Sequence, residues 1–195
     1  MGVVGHHVVL MLQYLSLVVM VLVIQTLAHN PDWGQTEPYV EEMMGKAKVT
    51  KLRFYFHDIM SGKNPTGVIV AQAPTTNQSA TGFGSLAMID DPLTEGPGLT
   101  SKPVGRAQGL VGFASQKELA SIMALSYVFT DENFNGSTLS ILTRNPIMNP
   151  VREFPVVGGT GKFRFARGVA NVKTYWVNAT SGDAIVEYNV TVIHY

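Results

Sequence analysis

One short stretch limits the fold more than any other. In Lys51-Leu-Arg-Phe-Tyr-Phe-His-Asp58, apolar Leu52, Phe54 and Phe56 alternate with Arg53, Tyr55 and His57. A period of two places one set of side chains on each face of a half-buried strand and rules out an amphipathic helix. Continued by one step, the alternation puts Asp58 on the phenylalanine face. A carboxylate there is costly to bury ionised unless a partner satisfies it. Either a nearby arginine or backbone amides pair with it, or it is a proton-transfer group in an aromatic cavity. His57, on the other face, is expected at the outer surface.

The same period recurs downstream. Gly67–Gln72, Phe83–Asp90, Val104–Ala114, Leu119–Phe129, Ser137–Arg144, Val151–Val157, Lys162–Val177 and Asp183–Tyr195 read as strands. Turn chemistry separates them, including Asn135-Gly136 and Ser181-Gly182. Asp90-Asp91-Pro92 is expected to end a strand, and a long proline-rich loop to follow. Gly158-Gly-Thr-Gly161 lacks the lysine and following helix of a phosphate loop and is expected to be a tight turn. Glycines at 105, 109 and 112 imply a tight bend or close approach of another backbone. Leu119–Phe129 is apolar on both faces, as a strand that is either central or covered by another subunit would be. Eight or nine strands with short turns predict an all-β antiparallel sandwich or barrel. The barrel is favoured because closure removes sheet edges.

Residues 8–24 are almost continuously apolar, and small Thr26 and Ala28 follow. Residues 1–28 are therefore expected to be a secretory signal peptide, with a retained anchor as the alternative. Residues 29–48 are expected to be a flexible leader, and residues 49–195 the barrel domain. Sequons at Asn77, Asn135, Asn178 and Asn189 fit a secreted glycoprotein. The chain of 195 residues has no cysteine, which excludes thiol catalysis and cysteine-bound zinc. The five histidines are too scattered for a metal site, and nothing in the chain calls for a cofactor. Fourteen basic residues balance fourteen acidic ones, with no basic run, which argues against nucleic acid and polybasic membrane anchoring.

Five segments in order resemble the plant dirigent proteins. They are Phe54-Tyr-Phe-His-Asp58, Asp90-Asp-Pro92, Val104-Gly-Arg-Ala-Gln-Gly109, Val151-Arg152, and Val157-Gly-Gly-Thr-Gly161 with Phe165-Ala-Arg-Gly168. The resemblance runs from about Val49 to the C-terminus. It implies an eight-stranded antiparallel β-barrel, a homotrimer, secretion to the apoplast, and an apolar lumen for phenylpropanoid-type intermediates. Some members steer the coupling of coniferyl-alcohol radicals made by a separate laccase or peroxidase, on the way to lignans. Others dehydrate an isoflavanol and close a pterocarpan ring. Both routes pass through a quinone methide.

Matched residue by residue, the family's lumenal aspartate falls on Asp58 and its arginine on Arg152. Phe54, Phe56, Asp91, Arg106 and Asn145 are the expected pocket residues. Asn145 stands where lignan-forming members carry a second aspartate, and Val111 where they carry a tyrosine. Their two cysteines are missing. The chain thus resembles the cysteine-free branch that includes pterocarpan-forming members. Asp58 and Arg152 are its expected catalytic pair, acting in stereocontrolled ring closure by a hydro-lyase; the alternative is a non-catalytic guide for radical coupling.

Overall fold

The computed structural model describes residues 2–27 and 45–195. The chain divides into two units, described separately. The first holds α1 (Gly2–Leu27), a helix built from the proline-free apolar run. Among the described residues, no helix is long and apolar enough to cross a membrane. The expected cleavage point at Ala28 and most of the expected leader lie outside the described residues. Of that leader, Lys48 is already in a strand.

The second unit is a β-barrel. Its strands are β1 (Lys48–Asp58), β2 (Gly67–Gln72), β3 (Ser85–Thr94), β4 (Pro103–Phe113), β5 (Ala120–Phe129), β6 (Thr138–Pro146), β7 (Arg152–Thr160), β8 (Arg167–Val177) and β9 (Ala184–His194). All neighbours are antiparallel, in the order β1-β9-β8-β7-β6-β5-β4-β3-β2. β1 also pairs with β3, at Tyr55↔Thr94 and Phe56↔Leu93. That contact closes eight strands into a ring and leaves β2 as a flap on the first half of β3.

Period two fills the interior. Phe54, Met123, Leu125, Tyr127, Phe129, Leu139, Ile141, Phe154, Val172, Tyr188, Val190 and Val192 form one buried cluster. Phe54 stacks on Tyr188 at 5.4 Å and meets Tyr127 edge-on at 5.5 Å. Phe129, Phe163 and Phe134 continue the aromatic column, with centroids 5.6 Å and 5.0 Å apart. Each such pair adds roughly 0.5–1.5 kcal/mol beyond area burial. In β4, Gly105 and Gly109 do admit a neighbouring backbone. A Cβ on Gly109 would lie 2.1 Å from the Ala124 carbonyl oxygen, and its φ of +149° also excludes most side chains.

The sequence-based expectations are corrected at several points. β3 does not end at Asp90-Asp91-Pro92 but runs on to Thr94. Pro92 is tolerated because β3 has left β2 there and has not yet met β1, so no neighbour waits for its missing N–H. Gly158 and Gly159 lie inside β7, not in a turn. A Cβ on Gly159 would come within 2.6 Å of the Phe163 carbonyl oxygen. The strand expected from Lys162 begins only at Arg167. Before it, a 3-10 turn at Gly161–Phe163 seats Phe163 in the core. His57 is buried, because its ring is tied to Thr94 at 2.7 Å where β1 meets β3.

Among the described residues nothing covers the outer face of Leu119–Phe129: Ile122 is exposed, as is Ala124. Ladder partners Met88, Leu110, Ala124 and Leu142 form an exposed apolar row across β3, β4, β5 and β6.

Candidate functional site

Asp58 is the last residue of β1, and its placement follows from the ring closure. The last ladder pair across the β1–β3 seam is Phe56↔Leu93. Two residues further along, Asp58 and Asp91 face each other on the inner side, where the strands have begun to part. Thr66 fills the gap. Its N–H donates to the Ile59 carbonyl at 2.7 Å, and its carbonyl accepts from the Asp90 N–H at 2.8 Å. Its hydroxyl donates to the Asp91 carboxyl group.

The two acids are electrostatically unequal. Burial pushes Asp58 up from 3.8 to about 6, and the nearby Asp183 charge adds to the effect. Burial pushes Asp91 further, to about 8, with the Asp58 charge reinforcing it and the Thr66 hydrogen bond opposing it. Asp58 Oδ1 and Asp91 Oδ2 are buried without hydrogen-bond partners. Near pH 7, Asp91 therefore holds a proton and Asp58 is mostly ionised. Asp183 is held below the usual range by the Ser61 and Ser181 hydroxyls, and it also accepts the Met60 and Ser61 N–H groups. It stays charged and pins the loop after β1.

Arg152 opens β7, buried on the same inner face. It donates to Asn145 Oδ1 at 3.0 Å and to the Thr174 hydroxyl at 2.8 Å. Its Nε is buried without a partner. Burial lowers its proton affinity. No carboxylate is within ion-pair distance of it among the described residues. Of the two environments open for Asp58, the dry wall prevails over an arginine partner. Tyr188 lies in the field of Arg152, Asp91 and Asp58, and burial raises its phenol to about 12. The Tyr127 hydroxyl beside it is pushed well above its ordinary value by burial.

The fold thus gathers Asp58, Asp91, Arg152, Asn145, Phe54 and Phe56 on one inner surface. Arg106 is not among them. Its side chain is 43% exposed and pairs with Asp90 at 2.6 Å on the outer face. Gly105 and Ala107 take the inner positions on either side of it. Asn77, Asn135, Asn178 and Asn189 are all exposed. Among the described residues no cluster of three or more metal-ligating side chains occurs. The expectations missed Tyr127, Tyr188, Thr66 and Thr174. The tyrosines were readable from alternation, since Tyr127 is in phase with Leu125 and Phe129, and Tyr188 with Val190 and Val192. Thr66 carries no such signal.

The barrel is closed, its interior is aromatic, and polar groups converge at one end of it. The family model for dirigent-like proteins matches residues 49–193. The chain belongs to the dirigent family, and its function is of the dirigent type. It is 56% identical over 147 residues to dirigent protein 21 of Arabidopsis thaliana, covering 75% of this chain and 78% of that protein. It is 53% identical over 149 residues to pterocarpan synthase 1 of Glycyrrhiza echinata, covering 76% of this chain and 79% of that one. A solved pterocarpan synthase dirigent protein superposes with a TM-score of 0.73 at 52% identity, over 77% of this chain and 87% of that structure.

Proposed function

We propose that the protein dehydrates an isoflavanol-type phenol to a quinone methide and sets the face of ring closure that gives a pterocarpan. The unequal acid pair at the seam is the observation that carries this reading; identities of about half to pterocarpan synthases support it. Asp91 gives its proton to the departing benzylic hydroxyl, which leaves as water. Electrons from the substrate phenolate form the quinone methide, whose ring oxygen Arg152 stabilises. The second phenol attacks the benzylic carbon, Asp58 takes its proton, and the electrons return to the ring oxygen. Proton transfer from Asp58 to Asp91 across the seam resets the site. Phe54 and Phe56 keep out water that would trap the intermediate without stereocontrol.

The working form we propose is a secreted, glycosylated homotrimer, with the Met88–Leu110–Ala124–Leu142 row and Ile122 packed against further copies of the chain. With no disulfide, such burial adds stability by mass action. The test is incubation with racemic and single-isomer isoflavanols. Expected are dehydration and an enantiomerically enriched pterocarpan, with Asp58→Asn reducing rate or stereocontrol by roughly 10²-fold. No turnover, but an altered enantiomeric excess once laccase and coniferyl alcohol are supplied, would replace this reading with the radical-coupling guide.

A further inference from the structure

On the adjoining strands β5, β6 and β7, three polar side chains share the inner face. Ser121 and Asn145 are ladder partners, and Ser121 is in phase with inward Met123 and Tyr127. Ser121 is 1% exposed, and its hydroxyl has no hydrogen-bond partner. Arg152 is 5% exposed with Nε unpaired. Asn145 stands between them. Arginine can only donate, so the atom it meets at 3.0 Å must be the amide oxygen. The Asn145 NH2 group is thereby left free of Arg152.

Unspent donors buried together cost stability unless a ligand takes them. We propose that Ser121, Asn145 and Arg152 form a donor-rich cradle for one acceptor oxygen of the substrate: the phenolate of the isoflavanol that becomes the quinone-methide carbonyl. This rests on the lumenal reading above and adds Ser121 and the orientation of Asn145 as specificity determinants. With a charged arginine supplying donors that cannot accept, the cradle favours an oxygen that carries no proton, and it strengthens as charge gathers on that oxygen. An aspartate at position 145 would pair with Arg152, remove the NH2 donors and repel a phenolate.

The test uses p-nitrophenolate, at a pH where the probe is ionised, against nitrobenzene, which lacks the phenolic oxygen but fills the same aromatic space. Binding to the full-length protein is followed by absorbance and calorimetry. Wild type is expected to prefer p-nitrophenolate. Ser121→Ala should lose about tenfold of that preference, as for a hydrogen bond to a charged group, while Ser121→Thr retains it. Asn145→Asp should lose about a hundredfold or more. Wild type without a preference overturns the cradle, and so do Ser121→Ala and Asn145→Asp proteins that keep it with unchanged nitrobenzene affinity. Isoflavanol turnover measured in parallel separates the two ideas. Preference without turnover keeps the cradle and removes the dehydration reading; turnover without preference does the reverse.

Discussion

Asp91→Asn should make the protein more stable at alkaline pH and less active at neutral pH. Asp91 is fully buried, and its carboxyl is raised from 3.8 to about 8. Folding therefore takes up a proton in that window. Stability is highest below pH 4 and falls as pH rises through about 8. At 1.36 kcal/mol per pKa unit, the ceiling is about 6 kcal/mol. Coupling to Asp58 and partial hydration at alkaline pH reduce the expected cost to roughly 3 kcal/mol. For a domain of this size that is a drop of roughly 6–12 °C in Tm, spread between about pH 4 and 8 and level above. Asparagine has no proton to lose and keeps an oxygen to accept from Thr66. The variant should retain only the shallower decline from Asp58 between about pH 4 and 6, and be flat above. Removing the proton donor should also lower dehydration at pH 7 by roughly 10²-fold or more. Thermal melts from pH 4 to 9, beside initial rates, test both arms. A wild-type Tm that is level between pH 6 and 9, or an Asp91→Asn curve parallel to it, would refute the placement of that proton. Undiminished activity would refute its use.

The oligomer is tested by sedimentation. Wild type is expected as a trimer at micromolar concentration, and Leu142→Asp, which puts a charge in the exposed apolar row, as a folded monomer; a monomeric wild type removes the proposal. Gly159→Ala forces a Cβ to within 2.6 Å of the Phe163 carbonyl oxygen and should cost about 3 kcal/mol, read by urea denaturation; a loss below about 0.5 kcal/mol would show that the turn carrying Phe163 yields easily. Phe54→Ala removes a ring packed against Tyr127, Phe129 and Tyr188 and should cost about 3–5 kcal/mol, unless the neighbouring rings collapse into the space.

Most of the strand pattern was legible in the chain because alternation is a local property. Phe54, Phe56 and Asp58 had to share a face once Lys51–Asp58 was a strand, and so did Met123, Leu125, Tyr127 and Phe129. The dirigent motifs carried the barrel and singled out Asp58 and Arg152 as candidates. What alternation cannot supply is register between strands distant in sequence. That Asp58 meets Asp91 depends on how far the ring is sheared when β1 closes on β3, 37 positions away at Phe56↔Leu93. The same closure buries His57 against Thr94 and opens the gap that Thr66 fills. Alternation also fails where the backbone leaves the regular ladder. The shift between Ser140 and Ile141 opposite β7 is one such place, and it is there that Gly158 and Gly159 stay in a strand that their composition reads as a turn. Arg106 and Asp91 lie one ladder step apart, yet the pleat sends one to the solvent and the other to the lumen. The residue types capable of acid–base chemistry were thus set by the sequence. Their pairing and their unequal proton affinities were decided by ring closure, because only the closed barrel brings two carboxyl groups into one dry space.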